Sequence, residues 1–448
     1  MSKSSSANPH ISSARLAAFE ILRRVEEDGA YATTLLASTA EQLESKDRNL
    51  THELVLGVLR RQLWLDRLVS YYSDRDPELL DAAVRIALRL GIYQLRFMSR
   101  IPASAAVNES VNLVRFARVK SASPFVNAVL RRATREPEFD PASVVTDPLE
   151  QIAVRTSHPK WLIQKWADDW GLSEAERFAA ANNQVPPTAF RVINEGNRGR
   201  EVLGVLESAG ATIKDSKIAS GARVVSGAGP ALLELVGKGL IYLQDEASQL
   251  VAHVLGAERG ERVLDVCAAP GSKTTHIADL FNDEGLIIAA DIYPHRLKTI
   301  VAAVKTQGFK SIQCVALDAL KELPFETGHF DRVLVDAPCS GTGTLRRNPE
   351  IKWRLTRADI QELAERQIRI LANAANQVKS GGRLVYSTCS VEVEENEQVV
   401  EKFMTQDPRF RPSPLDLDAT FLTGANTARI WPHKNGADGF FIASFERR

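Results

Sequence analysis

The C-terminal part of the chain, from Arg262 onward, alternates short apolar runs with helical patterns. The apolar runs end at Val266, Asp291, Asp318, Pro338 and Cys389, and helical patterns fill the gaps, for example 294–307 and 357–378. This alternation predicts a parallel sheet with helices on both faces. Because ligands of such sheets bind beyond the carboxyl ends of the strands, the residues that carry chemistry should lie at these five ends.

The N-terminal part of the chain has a different pattern. Within 12–135 apolar residues recur at helical spacing, as in Leu54, Val55, Val58 and Leu59, and period-2 alternation is absent, which predicts an all-helical domain. A loop rich in Pro, Asp and Glu follows at 137–148, and mixed patterns over 157–255 predict a small α+β insert. We therefore predict a disordered terminus at 1–11, a helical domain at 12–136, an insert at 150–240 and an α/β domain at 241–448.

The net charge of zero hides a strongly basic stretch. Between Arg85 and Arg135 the sequence has ten Lys and Arg residues and a single acid, Glu109. Such a stretch suits a polyanion such as nucleic acid. A solvated helical face would look the same, so charge alone leaves both interpretations open.

The four cysteines, Cys267, Cys314, Cys339 and Cys389, form no CxxC pair and no metal-ligand spacing with histidine. We expect no disulfide framework and no metal, and free thiols favour a reducing cytoplasm. The first 14 residues are Ser-rich without an apolar stretch, so no signal peptide is expected. No apolar run approaches the roughly 20 residues of a membrane span.

A turn of small residues follows the first strand, 263–266, and leads into a helix. The turn comprises Cys267, Ala268, Ala269, Pro270, Gly271, Ser272 and Lys273. Small residues let the backbone approach a ligand, and a helix N-terminus presents free N–H groups to a carboxylate. The glycine alone also fits an ordinary strand-to-helix turn. GxGxxG is absent, and the spacing of a phosphate-binding P-loop is absent as well.

Two aspartates close the next two strands. Asp291 lies about 20 residues after the turn, where a carboxylate can accept both hydroxyls of a ribose. Asp318 can accept from an exocyclic amine. Either residue alone is more often a helix cap or a surface acid. Both in register with the glycine turn favour a nucleoside site.

The fourth and fifth strands end in cysteine motifs. The fourth runs into Asp336-Ala-Pro-Cys339-Ser-Gly-Thr-Gly343, and the fifth ends at Cys389-Ser390. A lone cysteine at a strand end is usually a small core residue. Two cysteines at adjacent strand ends, both beside the expected ligand, favour nucleophilic chemistry.

These motifs carry a family resemblance. CAAPGSK, DAPCSGTG and STCS, in this order, resemble the RNA cytosine-C5 methyltransferases of the Nol1/Nop2/Sun family over about Ile241 to Arg448. The helical N-terminal region resembles the RNA-binding NusB fold, and the fusion resembles the bacterial Sun/RsmB type. Ser272 is a departure, because the family usually has a second glycine there; we expect the small serine to be tolerated.

The resemblance implies a fold and a set of roles. The fold is an all-α NusB-like domain, a small α+β insert and a class I, Rossmann-like methyltransferase domain that uses S-adenosyl-L-methionine. Residues 267–273 would form the cofactor loop, with Asp291 on the ribose hydroxyls and Asp318 on the adenine edge. Asp336 would lie by the cofactor's amino group and the target base. Cys389 would be the nucleophile and Cys339 would assist product release.

The implied reaction is methylation of carbon 5 of a cytosine in 16S ribosomal RNA, and the Sun/RsmB type points to cytosine 967. A thiolate that adds to carbon 6 makes carbon 5 nucleophilic enough to take a methyl group. The target base must be unpaired or flipped out. The expected partner is 16S ribosomal RNA or its small-subunit precursor, with no DNA and no membrane, and the expected state is a monomer.

Three alternatives remain. DNA cytosine-C5 methyltransferases use the Pro-Cys cysteine as nucleophile and lack the Thr-Cys-Ser motif, which argues against them here. A non-catalytic RNA-binding factor would not need both cysteines and the site aspartates. Another ribosomal or transfer RNA cytosine-C5 methyltransferase of the same family would carry the same motifs.

A second basic segment follows the fourth-strand motif. It contains Arg346, Arg347, Lys352 and Trp353. Two arginines beside a nucleophile loop can hold phosphates, and a tryptophan can stack on a base. A solvated loop with a core tryptophan is the alternative, and we expect RNA contact.

Overall fold

The computed structural model describes residues 11–40 and 42–448, so residues 1–10 of the predicted disordered terminus lie outside it. The chain forms two compact units. One comprises the chain up to Gln184 together with Leu345–Arg354, and the other comprises Val185–Thr344 and Leu355–Arg448. None of the helices in the described ranges has the length and apolar character needed to span a bilayer.

The first unit is helical, as the apolar spacing of 12–135 predicts. Its helices are α1 (Ser13–Glu27), α2 (Ala32–Ala40), α3 (Ser45–Arg60), α4 (Gln62–Ser73), α5 (Ala82–Phe97), α6 (Ala103–Phe116), α7 (Ser123–Arg135), α8 (Pro148–Thr156), α9 (Lys160–Trp170) and α10 (Leu172–Ala181). The four residues at helical spacing in α3 are all buried in its core. The apolar faces of these helices therefore pack on one another, which is the main source of helix stability in proteins.

The basic stretch 85–135 is divided between the interior and the surface. Arg89 is 5% exposed and donates to both Asp66 oxygens at 2.7 and 2.8 Å and to Glu26 at 2.7 Å. Arg85 also pairs with Glu26. These two cations are structural. The exposed cations of the stretch are Arg100, Arg115, Arg118, Lys120, Arg131 and Arg135.

The second unit begins with the predicted α+β insert. It contains β1 (Thr188–Val192), α11 (Glu195–Ser208), β2 (Thr212–Asp215), β3 (Arg223–Ser226), α12 (Gly229–Gly237) and β4 (Ile241–Leu243). The strands form an antiparallel sheet in the order β2-β3-β1-β4. Alternate residues of β1, Phe190 and Val192, pack with Val202 and Leu206 of α11 in the core of the insert.

A larger sheet forms the rest of the second unit. The elements that follow the insert are α13 (Glu246–Leu255), β5 (Arg262–Asp265), α14 (Ser272–Leu280), β6 (Leu286–Asp291), α15 (Pro294–Gln307), β7 (Ile312–Ala316), β8 (Phe330–Asp336), α16 (Ile351–Arg354, in the first unit), α17 (Arg357–Ala375), β9 (Val378–Thr388), α18 (Glu397–Gln406), β10 (Phe410–Pro412), β11 (Thr427–Ile430), α19 (Pro432–Asn435) and β12 (Phe440–Arg447). The strand order is β10-β12-β9-β8-β5-β6-β7, and β11 pairs with β12.

Strands β5 to β9 are parallel to one another, as predicted. The strands at the end of the chain were not predicted from the sequence, and there β12 pairs antiparallel with β9, β10 and β11. An antiparallel partner needs no crossover helix, so the last strands follow one another through loops and the short helix α19. The helix–strand alternation that signals a parallel sheet is therefore absent there.

Both faces of the large sheet are covered. On β5, β8 and β9 successive residues enter different cores, as Leu334 and Val335 do on β8. Helices α13 and α14 contribute to one core, and α17 and α18 contribute to the other. The strand order reverses at β5, which lies between β6 and β8. This switch point is where open α/β sheets bind their ligands.

The segment Leu345–Arg354, which follows the fourth-strand motif, belongs to the helical unit. Arg60 donates to the Arg346 carbonyl at 2.6 Å, and Lys352 donates to the Arg60 carbonyl at 3.0 Å. Trp353 donates to the Leu59 carbonyl at 3.0 Å. Arg346 is 3% and Lys352 is 1% exposed. The expectation that the two arginines hold phosphates is therefore wrong for Arg346, because its side chain is buried, and it stays a prediction for the half-buried Arg347.

Candidate active site

The small-residue turn after β5 lies at the switch point of the sheet. Gly271 has φ +101°, and a Cβ there would lie 3.2 Å from the Ile300 side chain, so both conformation and space require glycine. The Ala268 N–H donates to the Ala290 carbonyl of β6 at 2.8 Å, which fixes the turn against the neighbouring strand. Ser272 is the first residue of α14 and does not line the adjoining cavity.

Lys273 links this turn to the end of β8. Its ammonium lies 2.7 Å from the Asp336 carboxylate and 5.0 Å from the centre of the Phe440 ring. Burial acts to lower the pKa of Lys273, but the charge and hydrogen bond of Asp336 outweigh it and raise that pKa. The second Asp336 oxygen accepts from the Ser387 hydroxyl at 2.8 Å. Asp336 is thus held from the start of α14 and from β9, and its remaining lone pairs are available to a ligand.

Asp265, the last residue of β5, is a buried carboxyl under the site. It is 1% exposed, and one oxygen accepts from the Thr274 hydroxyl at 2.7 Å. The other oxygen has no hydrogen-bond partner among the described residues. Burial, and then the nearby charge of Asp336, raises the pKa of Asp265 to about 7. This carboxyl therefore holds a proton into the neutral range.

The two predicted nucleoside-binding aspartates also close local turns. Asp291 is 4% exposed and accepts from the Tyr293 N–H at 3.0 Å, with Arg296 at 3.3 Å from its second oxygen. Asp318 accepts from the Leu320 N–H at 3.0 Å. Each carboxylate offers about four acceptor positions, so one local bond leaves acceptors for a ligand.

The two motif cysteines meet at the ends of the adjacent strands β8 and β9. Their sulfur atoms are 3.3 Å apart. The contact with Cys389, followed by burial, raises the pKa of the Cys339 thiol well above its usual range. Cys339 is therefore the partner that keeps its proton. The positive Lys273 interacts electrostatically with Cys389.

The loops that carry the cysteines pack closely. The Gly343 N–H donates to the Cys389 carbonyl at 2.9 Å, and the Gly439 N–H donates to the Gly343 carbonyl at 2.8 Å. A Cβ on Gly343 would lie 2.8 Å from the Cys389 carbonyl oxygen and would collide with Gly439. Glycine at this position therefore lets the two cysteine loops and the start of β12 approach one another.

One cavity of about 250 Å³ joins these groups. It is lined by Val266, Cys267, Ala269, Asp291, Ile292, Tyr293, Arg296, Leu317, Asp318, Ala319, Leu320, Asp336, Ala337, Pro338, Cys339, Arg366, Ile370 and Cys389. Of the predicted site residues, Ala268, Pro270, Gly271, Ser272 and Lys273 do not line it. They shape the turn instead, and Lys273 reaches the cavity through Asp336.

The cavity walls suit a nucleoside. Apolar side chains from the loop after β7 provide surface for a base, and Asp291 and Asp318 provide acceptors at two strand ends. Burial raises the pKa of Cys267, so this thiol remains protonated and acts as a wall. These acceptors therefore fit the ribose hydroxyls and the exocyclic amine of an adenosyl group, which donate hydrogen bonds.

Some residues of the candidate site were not predicted from the sequence. Arg366 of α17 lines the cavity, and its buried Nε has no hydrogen-bond partner among the described residues. It lies on an amphipathic helix with no motif to mark it. Ser387 stands inside the STCS motif, so a signal existed, but its bond to Asp336 joins residues 51 positions apart.

A class of protein follows from this geometry. A largely parallel α/β sheet whose strand order reverses at β5, with a cavity at the carboxyl ends of its strands, is the fold of a class I methyltransferase. The model of the 16S rRNA methyltransferase RsmB/F family matches residues 252–446. The NusB family model matches 12–135, and the ferredoxin-like domain model of RsmF/B-like methyltransferases matches 158–230.

Relatives agree over the whole chain. The probable ribosomal RNA small subunit methyltransferase B of Bacillus subtilis is 35% identical over 97% of this chain and 99% of its own. Ribosomal RNA small subunit methyltransferase B of Pseudomonas putida is 34% identical over 96% and 97%. The crystal structure of PH0851 has a TM-score of 0.84 at 28% identity and covers 98% of this chain and 99% of its own. The chain belongs to the RsmB/F family of ribosomal RNA small subunit methyltransferases.

The raised pKa of Asp265 predicts a pH-dependent stability. The unfolded chain releases this proton near its ordinary pKa of about 4, whereas the folded protein holds it until about pH 7. The carboxyl's contribution to stability is thus full below pH 4 and is lost as pH rises to 7. Asp265→Asn avoids this loss, so its advantage over the wild type should grow by on the order of 3 kcal/mol between pH 4.5 and pH 8.

Urea unfolding at the two pH values measures this difference. Asp416 is exposed, so Asp416→Asn is a matched control with no expected change. An advantage of Asp265→Asn that is equal at both pH values would contradict the buried protonated carboxyl.

Proposed function

We propose that the protein methylates carbon 5 of a cytosine in 16S ribosomal RNA, at the position that the resemblance designates cytosine 967, using S-adenosyl-L-methionine. The observation that carries the proposal is the 3.3 Å contact between the Cys339 and Cys389 sulfurs in the same cavity as the nucleoside-binding carboxylates. When bound, S-adenosyl-L-methionine supplies an electrophilic methyl group. The relatives' activity on small-subunit ribosomal RNA supports the choice of substrate.

In the proposed first step the Cys389 thiolate adds to carbon 6 of the flipped-out cytosine. The electron pair of the 5,6 double bond moves to carbon 5, which forms its new bond to the methyl carbon. The bond from that carbon to the sulfonium would break, and its electron pair would leave with the neutral sulfur of the demethylated cofactor. Asp336 stabilises the ring by accepting from its amidine edge. Lys273 holds Asp336 in place through the 2.7 Å ion pair.

In the second step a base removes the proton on carbon 5, the 5,6 double bond re-forms and the Cys389 sulfur leaves. The contact with Cys389 is the largest cause of the raised pKa of Cys339. Once Cys389 is bonded to carbon 6, that cause is removed and the pKa of Cys339 falls. Its thiol then releases its proton to solvent more readily, and the resulting thiolate is available to take the proton from carbon 5. The order of the steps thus follows from the pairing of the two sulfurs.

RNA binding is assigned to residues 12–136 and catalysis to residues 241–448, with the insert at 150–240 between them. The exposed cations of the stretch 85–135 support the assignment of RNA to the helical domain. The free cysteines suit a reducing compartment, and we propose that the protein acts as a monomer in the cytoplasm.

Asp291→Ala is expected to weaken binding of S-adenosyl-L-methionine, because each ribose hydroxyl loses a charged acceptor worth about 1.5–3 kcal/mol. Isothermal titration calorimetry measures the change. Asp416→Ala removes an exposed carboxylate outside the cavity and should bind normally. Unchanged affinity of Asp291→Ala would remove this residue from the site.

Replacing Arg100, Lys120 and Arg135 with alanine should weaken RNA binding in a salt-dependent way. Three lost phosphate contacts lower the slope of log K against log salt by about 2. The control replaces Arg23, Arg24 and Lys46, which pair with Glu27, Asp28 and Glu44. Filter binding at several salt concentrations compares the two; equal slopes would make the basic stretch structural only.

The two cysteines should give opposite results on denaturing gels. Cys389→Ala cannot form the covalent bond and should be inactive without trapping RNA. Cys339→Ala should attack and methylate but stall before elimination, so a protein–RNA complex should survive denaturation. Cys314 of β7 lies outside the cavity, so Cys314→Ala should behave as wild type. A trapped complex with Cys389→Ala would reverse the assigned roles.

A further inference from the structure

A single buried carboxylate joins the loops that carry the two cysteines. Glu395 lies between β9 and α18 and is 0% exposed. It contacts Ser340 and Ser390, the residues that directly follow Cys339 and Cys389 in the sequence. Glu395 does not line the cavity, so its role cannot be direct contact with the reacting groups.

Each Glu395 oxygen accepts two hydrogen bonds. One oxygen accepts from the Ser340 N–H at 2.8 Å and from the Gln367 amide at 2.9 Å. The other accepts from the Ser390 hydroxyl at 2.5 Å and from the Ser340 hydroxyl. The two serine hydroxyls are themselves 3.0 Å apart. Both oxygens of the carboxylate are therefore occupied by hydrogen bonds, and these bonds connect the two cysteine loops.

Two further residues brace this carboxylate. Gln367 of α17 also donates to the Pro338 carbonyl at 2.9 Å, one residue before Cys339. Tyr386 of β9 donates to the Glu395 backbone carbonyl at 2.6 Å. The arrangement thus reaches both sides of Cys339 and is anchored on a helix and on a strand.

Placing an acid here is energetically costly. Burial raises the pKa of Glu395, although bonds from the serines and Gln367 oppose that shift. A buried ionisable group adds little net stability compared with apolar packing. Its four directed bonds do specify where the two loops lie, which apolar packing would not do.

We propose that Glu395 is a positioning residue that sets the separation of the two cysteine sulfurs. The proposal rests on the proposed function, which gives both sulfurs a role. The two cysteine loops depend on Glu395 to different extents. Ser340 makes two bonds to Glu395 and Ser390 makes one, and Cys389 directly follows β9 whereas Cys339 lies three residues beyond β8. Loss of Glu395 therefore displaces Cys339 more than Cys389.

The test is Glu395→Ala, assayed for methylation, cofactor binding and trapped RNA. A displaced Cys339 slows elimination more than attack, so turnover should fall roughly 100-fold, as for a misplacement of about 1 Å. A protein–RNA complex should accumulate on denaturing gels, and affinity for S-adenosyl-L-methionine should be unchanged. Glu401 of α18 is exposed, and Glu401→Ala is the matched control with wild-type turnover.

Glu395→Gln should largely restore turnover. Its carbonyl oxygen can accept from the Ser340 N–H and from Gln367, and its amide group can donate to the serine hydroxyls. If Glu395→Ala fails to fold in thermal melts, Ser340→Ala takes its place, because it removes one of the bonds and should trap RNA to a smaller extent. Trapped RNA in these variants together with rescue by glutamine supports the proposal.

Loss of turnover without trapped RNA, or failure of glutamine to restore it, would overturn the positioning role. Cys339→Ala, run on the same gel, separates this outcome from failure of the proposed function. If Cys339→Ala traps RNA and the folded Glu395 and Ser340 variants do not, only the role of Glu395 is wrong. If Cys339→Ala traps nothing, the assigned role of Cys339 is wrong.

Discussion

The parallel pairing of β8 with β9 is the constraint on which the site depends. It sets Asp336 opposite Ser387 in register, and each strand then leads directly into a cysteine loop. Cys339 and Cys389 are 50 positions apart in the sequence, and their sulfurs are 3.3 Å apart. Without the strand pairing, loop conformation alone would have to bring them together. Both faces of the sheet are buried, so shifting the register of β8 against β9 by one residue would move the apolar side chains of one core into the other core. Packing of the two cores therefore fixes the register, and the register fixes the positions of the site residues at the ends of the strands.

Charged and polar side chains beside the cavity interact with partners from other strands and turns. Lys273 from the turn after β5 meets Asp336 from β8, and Ser387 from β9 holds the other oxygen. Burial and the charge of Asp336 raise the pKa of Asp265 to about 7, so below that pH this carboxyl holds a proton and adds no second negative charge beside Asp336. Lys273 thus pairs with the Asp336 carboxylate and also interacts electrostatically with Cys389. A lysine at the start of a helix is in this way connected to groups at the ends of two strands.

Much of this arrangement could be predicted from the sequence. The strand ends at Asp291, Asp336 and Cys389 were visible because apolar runs stop there and polar residues follow. The tight turn at Gly271 was predicted because small residues follow a strand and lead into a helix. These features are local, since each depends on a few consecutive residues.

What could not be predicted depends on distant contacts. Glu395 lies in the run Glu392–Glu397, which has the composition of a solvated surface, yet it is fully buried. Arg346 and Lys352 were expected on RNA because they are basic, but they are buried in the helical unit. Lys273 was expected on the cofactor, whereas its partner is 63 residues away. Composition predicts that charged residues of this kind lie at the surface, and only the contacts of the tertiary fold show that they are buried.

The central claim is that Cys389 is the nucleophile in a two-cysteine site. The most direct measurement is mass spectrometry of the wild-type protein after reaction with RNA that carries 5-fluorocytidine at the target position. Fluorine leaves carbon 5 without a removable proton, so the covalent adduct cannot be resolved. After digestion, the nucleotide should be found on the peptide that contains Cys389. A nucleotide on the peptide that contains Cys339 would contradict the account.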